Sequence, residues 1–286
     1  KPPSVPLGPA HQHWVRLYGA AKSLAVANAA AREQRLVAYV VADAATAAQV
    51  DQELAFFAPR LKRHHLPDWE TLPYDRFSPY QDIISERIAT LTNLPRLTDG
   101  VVVISVATAM HRLPPRSWMA GRAFDLSSGQ HLDRDNFRRD LETAGYRAST
   151  QVTEHGEYAY RGSLIDLFPM GSEQPFRIDL FDDEIESIRH FDVESQRSSD
   201  VVGAVQILPA REFPFDDEAR RNFCREWRLR FDHDGRSSPM YSDISEGLAP
   251  AGIEYYLPLF FDELDLLTDY LPADAIVVFG EGVDVA

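Results

Sequence analysis

Two patterns of strand divide the sequence, and their contrast most narrowly limits the folds that the chain can adopt. Residues 36–42 (LVAYVVA) and 101–106 (VVVISV) are continuous apolar runs rich in β-branched side chains, which is typical of parallel strands covered on both faces. Residues 176–181 (FRIDLF) instead alternate between apolar and polar, as strands do when only one face meets a core. The predicted fold class is therefore α/β, with a parallel-sheet domain interrupted by an inserted α+β domain.

The remaining patterns predict the domain boundaries. Helical periodicity runs through four segments, 44–57, 82–94, 133–144 and 216–231. The run LPPR at 113–116 stops regular structure, and an apolar run at 275–279 (AIVVF) indicates that the parallel sheet resumes late in the sequence. We predict an α/β domain over residues 1–122, an inserted α+β domain over 123–208, and a return to the α/β core over 209–286.

Composition limits the compartment and the partners. The net charge of −15 argues against non-specific affinity for DNA or for an anionic membrane, because both present negative charge. No segment approaches the roughly twenty continuous apolar residues that a membrane span needs, and the first residues lack the apolar core of a signal peptide. The single cysteine, Cys224, excludes an intramolecular disulfide and a multi-cysteine metal site. We therefore expect a cytoplasmic protein with no membrane partner.

A degenerate nucleotide loop is the nearest approach to a cofactor site. Residues 16–23 (RLYGAAKS) precede a helical segment and contain Gly19, Lys22 and Ser23, as a phosphate-binding loop does. That loop needs glycine where this chain has Arg16 and Ala21, because its backbone amides must turn toward the phosphates without steric obstruction. We predict that these residues bind no cofactor. No helicase-type acidic box accompanies the loop, so we expect no nucleotide hydrolysis.

No other motif predicts catalysis or metal binding. His11 and His13, like His64 and His65, have no companion carboxylates or thiols at metal-ligand spacing. No serine lies in a nucleophile elbow, and the spacing suggests no cysteine–histidine pair. We therefore predict neither catalytic nor metal-binding residues.

Aromatic side chains crowd the segment 68–80, which contains Trp69, Tyr74, Phe77 and Tyr80. Such rings stack on nucleobases in single-strand binders, but no basic groove accompanies them in the sequence. We predict instead that they close the core of the α/β domain.

The alternating strand is the strongest candidate for a binding surface. Arg177, Asp179 and Phe181 fall on one face of it, and residues 182–184 predict the turn of a β-hairpin. A phenylalanine between charges on a solvent face, with an arginine nearby, is typical of an interface anchor. Two alternatives stay open: Arg177 pairs with Asp179 or a cross-strand acid, and Phe181 packs under a loop. If Arg177 serves a partner, Arg177→Ala should leave thermal stability nearly unchanged.

The same residues carry a family resemblance. The runs RGSLIDLFP (161–169) and FRIDLFDDEIESIRHFD (176–192) resemble domain 2 of the bacterial excision-repair protein UvrB, and resemble more closely the matching domain of the transcription-repair coupling factors, the Mfd family. Further matches are DWETLPYDRFSPYQDIISERIATL (68–91), EHGEYAYRG (154–162) and AGIEYYLPLFF (251–261). Nearly the whole chain therefore resembles the N-terminal UvrB-like module of that family, made of domains 1a, 2 and 1b.

The resemblance implies a fold, a partner and site residues. It implies a P-loop-NTPase-like parallel-sheet domain with a degenerate nucleotide site, and an inserted domain that binds UvrA. Arg161, Arg177 and Phe181 match the positions through which the family contacts UvrA. The implied function is a non-catalytic adaptor that recruits UvrA to RNA polymerase stalled at DNA damage. RNA polymerase and double-stranded DNA would be bound by other domains of the longer family proteins, and ATP and Mg²⁺ by their downstream translocase domains.

Two other functions stay open at this point. One is a nucleotide-dependent helicase fragment resembling UvrB, against which the missing glycines at Arg16 and Ala21 count. The other is direct DNA binding through the UvrB-like fold. The acidic charge of the chain counts against that reading, as does the lack of an aromatic hairpin of the kind with which UvrB grips DNA.

Overall fold

The computed structural model describes residues 11–73, 75–231, 235 and 238–283. Its helices are α1 (Ala21–Glu33), α2 (Ala44–Phe57), α3 (Gln81–Asn93), α4 (Val106–Ala109), α5 (Arg116–Ala120), α6 (Arg134–Thr143), α7 (Asp217–Arg230), α8 (Pro239–Ser245) and α9 (Leu267–Tyr270), with 3₁₀ helices at Leu94–Arg96 and Ile253–Leu259. None of the helices in the described part of the chain is both long and apolar enough to cross a membrane.

The strands are β1 (Leu36–Val41), β2 (Arg63–Leu66), β3 (Gly100–Ser105), β4 (Phe124–Ser127), β5 (Arg147–Ala148), β6 (Glu157–Arg161), β7 (Leu164–Leu167), β8 (Phe176–Phe181), β9 (Glu184–Phe191), β10 (Ser198–Val202), β11 (Ala204–Ile207) and β12 (Ile276–Phe279). The chain divides into two compact units. The first unit contains the residues up to Asp68, Thr90–His111 and the residues from Leu266 onward. The second unit contains Trp69–Ala89 and Arg112–Asp265.

The first unit is built on a parallel sheet. Its four strands run in the order β12-β1-β3-β2, and each neighbouring pair is parallel. Strands β1 and β3 are buried along their whole length, which confirms the parallel sheet predicted from the continuous apolar runs. Val37 lies opposite Ile276, so the strand predicted late in the sequence joins this sheet as expected.

Small apolar side chains let two helices approach one face of this sheet. Asp43 caps α2, because its side chain accepts a hydrogen bond from the Thr46 amide at 2.7 Å. The core cluster on this face contains Val26, Ala27, Ala30, Val37, Tyr39, Val41, Ala47, Val50, Leu54, Val101 and Val103. Burying each valine or leucine side chain contributes about 1.5–3 kcal/mol, so this cluster stabilises the helices against the sheet.

The second unit contains a six-stranded sheet in the order β10-β9-β8-β7-β6-β5. Neighbouring strands are antiparallel, except for the parallel pair β5 and β6. On β8, Ile178 and Leu180 are buried and Phe181 is exposed, so the predicted alternation is confirmed. The Tyr158 hydroxyl donates a hydrogen bond to Glu142 at 2.9 Å, which ties the end of α6 to the buried face of the sheet.

The two edges of this sheet are irregular in different ways. Strand β5 contains two residues. The pairing of β10 with β9 shifts register between Ser198 and Val201, as in a β-bulge. The sheet therefore ends in a very short strand on one side and in an interrupted strand on the other.

Aromatic side chains form a separate core around α7 in the second unit. Phe213 and Phe223 both contact Phe260, with ring centroids 4.9 Å apart in each pair. Such pairs add about 0.5–1.5 kcal/mol beyond the burial of their area. Cys224 is a free, half-buried thiol that packs against this cluster.

A buried ion pair fastens α3 to the segment before α7. Arg87 donates to Glu212 from Nε to Oε1 at 2.6 Å and from Nη2 to Oε2 at 3.1 Å. Trp69 Nε1 donates to the same Oε1 at 3.3 Å, and the Arg87 guanidinium lies 4.9 Å from the centre of the Trp69 ring. The side chains of the pair are 0% and 4% exposed. Two charges thus share one site away from water.

The aromatic segment does not close the α/β core as predicted. Trp69 is buried, but in the second unit, whereas Phe77 is 72% and Tyr80 is 81% exposed. Tyr74 lies outside the described residues. The segment lies against residues far along the chain, since a Cβ on Gly252 would lie 2.4 Å from the Asp75 carbonyl oxygen and the Ser78 hydroxyl donates to Glu254 at 3.0 Å. Backbone and side-chain contacts within the second unit thus hold the segment, and the prediction is wrong for Phe77 and Tyr80.

The predicted domain boundaries stay a prediction. The inserted domain predicted over 123–208 and the following residues as far as 265 lie together in the second unit. The residues from 266 onward, which include β12, lie in the first unit.

Removing one member of the buried pair should destabilise the protein strongly. Glu212→Gln leaves the Arg87 charge buried without a counter-charge, and we expect the free energy of unfolding to fall by about 3–5 kcal/mol. Urea denaturation measures this change. The double variant Arg87→Met/Glu212→Leu removes both charges and should recover much of the loss. A double variant no more stable than Glu212→Gln would contradict this account.

Candidate protein-interaction surface

A tight hairpin presents Phe181 at the end of β8. Only Asp182 and Asp183 separate β8 from β9, and Asp182 adopts a φ of +61°, a backbone conformation that aspartate tolerates better than most residues. The hairpin turn predicted from the sequence is thereby confirmed. Phe181 lies opposite Glu184 at the base of the turn and is 76% exposed, so it does not pack under a loop.

A neighbouring loop braces this hairpin through the backbone. The Gly129 amide donates to the Ile185 carbonyl at 2.8 Å, and the Ile185 amide donates to the Gln130 carbonyl at 2.9 Å. The Leu132 amide donates to the Asp183 carbonyl at 2.7 Å. The exposed ring therefore projects from a backbone that is fixed without any partner.

The strand register brings the three predicted residues to one face. Arg161 lies opposite Leu164, and Leu164 lies opposite Asp179. Asp179 shares its face of β8 with Arg177 and Phe181, since alternate residues of a strand point the same way. We call this side of the six-stranded sheet, which carries Arg161, Arg177 and Phe181, the outer face.

A buried carboxylate lies under the two arginines. Asp166 is 0% exposed and lies opposite Arg177 across β7 and β8. Arg177 donates from Nε to Oδ1 at 2.7 Å and from Nη2 to Oδ2 at 2.9 Å, the bidentate geometry that suits arginine. Nη1 of Arg161 is 3.9 Å from the same Oδ2. The hydrogen bonds that Arg177 donates to Asp166 raise the pKa of Arg177.

Other contacts also hold Arg177. Its Nη1 donates to the Gln196 carbonyl at 3.1 Å and to the Ser198 hydroxyl at 3.2 Å. Its guanidinium lies 4.8 Å from the centre of the Phe191 ring. Of the open alternatives, pairing with a cross-strand acid is the one found. Four of the five N–H donors of this guanidinium are thus used by described residues.

Sequence reasoning missed Asp166. The signal was an acid between two apolar residues, Ile165 and Leu167, on a strand that precedes the arginine-bearing strand. The expectation that Arg177→Ala leaves stability unchanged does not fit this geometry. Removing Arg177 leaves a carboxylate buried beside a single, more distant arginine.

The outer face also carries an exposed valine that the sequence analysis did not single out. Val201 on β10 lies opposite Arg189, which lies opposite Arg177 on β8. Val201 is 62% exposed. The first four residues of β10 (SSDVV) are exposed and Val202 is half-buried, so the strand has no buried face whose alternation would have revealed it.

Polar side chains of the degenerate loop, residues 16–23, pair with other residues of the first unit. Helix α1 begins at Ala21, so Lys22 and Ser23 are helical residues. The Lys22 ammonium pairs with Glu281, which lowers the pKa of that carboxyl. The Ser23 hydroxyl donates to Glu53 at 2.6 Å. Gly19 adopts a φ of +52° just before the helix. That this loop binds no nucleotide remains a prediction.

The histidine pairs form no recognisable ligand set. Within the described ranges, no group of three or more histidine, cysteine, aspartate or glutamate side chains is placed to hold a metal ion. His64 is half-buried on β2, and burial lowers its pKa.

A known domain family matches the part of the chain that forms the outer face. The UvrB interaction domain family matches residues 124–213, a range that contains the outer face and the hairpin. The sheet, its exposed face and this match define a UvrB-type interaction module.

Relatives that match nearly the whole chain narrow the family further. Transcription-repair-coupling factors of Escherichia coli (strain K12), Haemophilus influenzae (strain ATCC 51907 / DSM 11121 / KW20 / Rd) and Myxococcus xanthus are 48%, 42% and 33% identical to it over 263, 278 and 279 residues. The alignments cover 92%, 96% and 91% of this chain, and 23%, 24% and 23% of those proteins. The chain belongs to the transcription-repair-coupling factor family, which confirms the resemblance stated from the sequence. It spans about a quarter of the length of these curated relatives.

The outer-face residues should differ sharply in their effect on folding. Arg177→Ala should lower the free energy of unfolding by about 3 kcal/mol or more, because it takes the closest counter-charge from a buried carboxylate. Phe181→Ala should change it by no more than about 0.5 kcal/mol, because the ring is mostly in solvent. Urea titration of both variants tests this contrast. Small and equal effects would show that Asp166 does not depend on Arg177.

Proposed function

We propose that this chain is a non-catalytic adaptor that binds UvrA through the outer face. In this proposal it recruits UvrA to RNA polymerase stalled at DNA damage, for transcription-coupled nucleotide excision repair. Its membership of the transcription-repair-coupling factor family and its UvrB interaction domain support a role in coupling transcription to repair.

The exposed Phe181 is the observation that carries the proposal. A large apolar ring left in water gains free energy when a partner covers it, by about 1.5–3 kcal/mol for a whole phenylalanine side chain. Because the hairpin backbone is already braced, little conformational entropy is lost when the partner binds. Phenylalanine and arginine are both enriched at interfaces, and Arg161 and Arg177 share this face.

The charges of the outer face specify the partner surface that fits it. Arg161 is 39% exposed in its side chain and can pair with a carboxylate. Asp179 and Glu184 flank Phe181 on the hairpin and favour hydrogen-bond donors. A complementary surface therefore has an apolar pocket for the ring, with an acid on the side of the arginines and donors near the turn.

The longer family proteins would supply the remaining functions. In this proposal their other domains bind RNA polymerase and double-stranded DNA, and their downstream translocase domains use ATP and Mg²⁺. The present chain contributes the contact with UvrA.

A nucleotide-dependent, UvrB-like helicase fragment is the second candidate. The pairing of Lys22 with Glu281 and of Ser23 with Glu53 counts against it, because both groups would have to leave these partners to reach a phosphate. The exposed Phe181 on the outer face directly supports the adaptor proposal instead.

Binding to purified UvrA should depend on the exposed ring. We expect Phe181→Ala to weaken binding by about 2 kcal/mol or more, roughly 30-fold in Kd, as at an interface hot spot. Isothermal calorimetry measures the loss. Arg161→Ala tests the second position, and Arg177→Lys tests the third without taking the charge away from Asp166.

Phe56→Ala is the matched control, since Phe56 lies on α2 of the first unit and is 81% exposed. It should leave UvrA binding unchanged. Equal losses in Phe56→Ala and Phe181→Ala, or wild-type binding in Phe181→Ala, would remove the outer face from the proposal.

Calorimetry with ATP and Mg²⁺ should give no saturable binding to this chain. Arg16 and Ala21 stand where the phosphate-binding loop needs glycine, and Lys22 is already paired. Saturable binding that disappears in Lys22→Ala would instead favour the nucleotide-dependent candidate.

A further inference from the structure

A cleft in the second unit, separate from the outer face, has two arginines in its wall. Its volume is ≈ 250 Å³. Side chains or backbone of Ser78, Gln81, Arg147, Arg211 and Glu254 line its polar side. Its lining comes from segments far apart in sequence that the fold brings together, and the functions considered above involve none of these five residues.

Arg211 lacks the partners that a half-buried guanidinium requires. Among the described residues it has no hydrogen bond and no ion pair within 4.0 Å. It lies over the Phe215 ring, with 5.1 Å from its guanidinium carbon to the ring centre. Burial lowers its pKa, but arginine stays protonated in proteins and keeps five donors. A fixed positive charge therefore stands in the cleft without an acceptor at hydrogen-bond distance.

A glycine fixes the path of this side chain. Gly145 has a φ of +95°, and a Cβ at that position would lie 2.9 Å from Arg211 Cγ. The aliphatic part of Arg211 thus crosses bare backbone. Any larger residue at 145 would displace the guanidinium from the cleft.

The second arginine adds to the positive charge. Arg147 is 3.6 Å from Glu154, but both side chains are more than half exposed, and such surface pairs contribute only about 0–1 kcal/mol. Burial is the main cause that lowers the pKa of Arg211, the charge of Glu254 opposes it, and the charge of Arg147 adds to it, since the two guanidiniums repel each other. An anion between them would remove this repulsion.

Neither acid that lines the cleft forms an ion pair within 4.0 Å with Arg211 or Arg147, although the charge of Glu254 attracts Arg211. Glu212 also lines it, but its carboxylate is taken up by Arg87. Glu254 accepts a hydrogen bond from the Ser78 hydroxyl at 3.0 Å, and burial raises its pKa.

We propose that this cleft binds a small oxyanion, a phosphate or a carboxylate, between Arg211 and Arg147. The planar fork of Arg211 suits two oxygens of such a group. The side-chain amide of Gln81, which also lines the cleft, is a further donor for such an anion. The site is independent of UvrA binding at the outer face.

Calorimetry of this chain with sodium phosphate, and separately with sodium succinate, tests the site and separates the two chemistries. Ionic strength is held constant with sodium chloride. We expect saturable binding of at least one anion, and Arg211→Gln should weaken it by about tenfold or more. Absence of saturable binding by both anions would overturn the proposal.

Arg60→Gln is the charge-matched control, because Arg60 is exposed in the first unit. It should leave anion binding unchanged, and an equal loss in this variant would reveal non-specific charge attraction and overturn the site. If Arg211→Gln does not fold, Arg147→Gln replaces it, since Arg147 is exposed. Wild-type affinity in Arg147→Gln would likewise overturn binding between the two arginines.

Discussion

The second unit depends on a charge pair that cannot reach water. Arg87 and Glu212 share two hydrogen bonds beside Trp69, although 125 positions separate them in sequence. Taking two ions out of water costs several kcal/mol for each, and their attraction offsets this only in good geometry. The pair is therefore a weak source of net stability and a strong selector of one packing. Any arrangement that misplaces α3 leaves a charge buried alone.

A second buried charge pair orders side chains on the outer face. Asp166 is as deeply buried as Arg87, but its partner Arg177 lies at the border between the core and solvent. The carboxylate holds the guanidinium in one orientation and draws Arg161 toward it. Arginines ordered in advance lose less side-chain entropy when a partner docks. The buried Asp166 thus orders arginine side chains of the outer face. Arg177 takes part in folding as well as in the proposed contact with UvrA.

Sequence patterns predicted what depends on local periodicity. Continuous apolar runs gave the parallel pairing of β1 with β3, and alternation gave the exposure of Phe181. The patterns did not predict the positions of residues that depend on contacts with distant parts of the chain. Pairing of Asp166 with Arg177 requires the register of β7 against β8, which a period of two does not specify. Phe77 and Tyr80 are exposed, and their segment lies against Gly252, far along the chain, a contact that periodicity does not predict. That Arg211 forms no hydrogen bond with another described residue likewise depends on how distant segments pack, and periodicity does not predict it.

The irregular edges of the six-stranded sheet have a consequence for solubility. Phe181 and Val201 are exposed on one face of the sheet. Such a sheet can associate with other copies if a regular edge strand also leaves its backbone N–H and C=O groups unpaired. Here one edge is the two-residue strand β5 and the other carries a bulge in β10. Neither edge provides a long, flat template for a further strand. The chain can therefore keep two large apolar side chains exposed on this face while its sheet resists growing into aggregates.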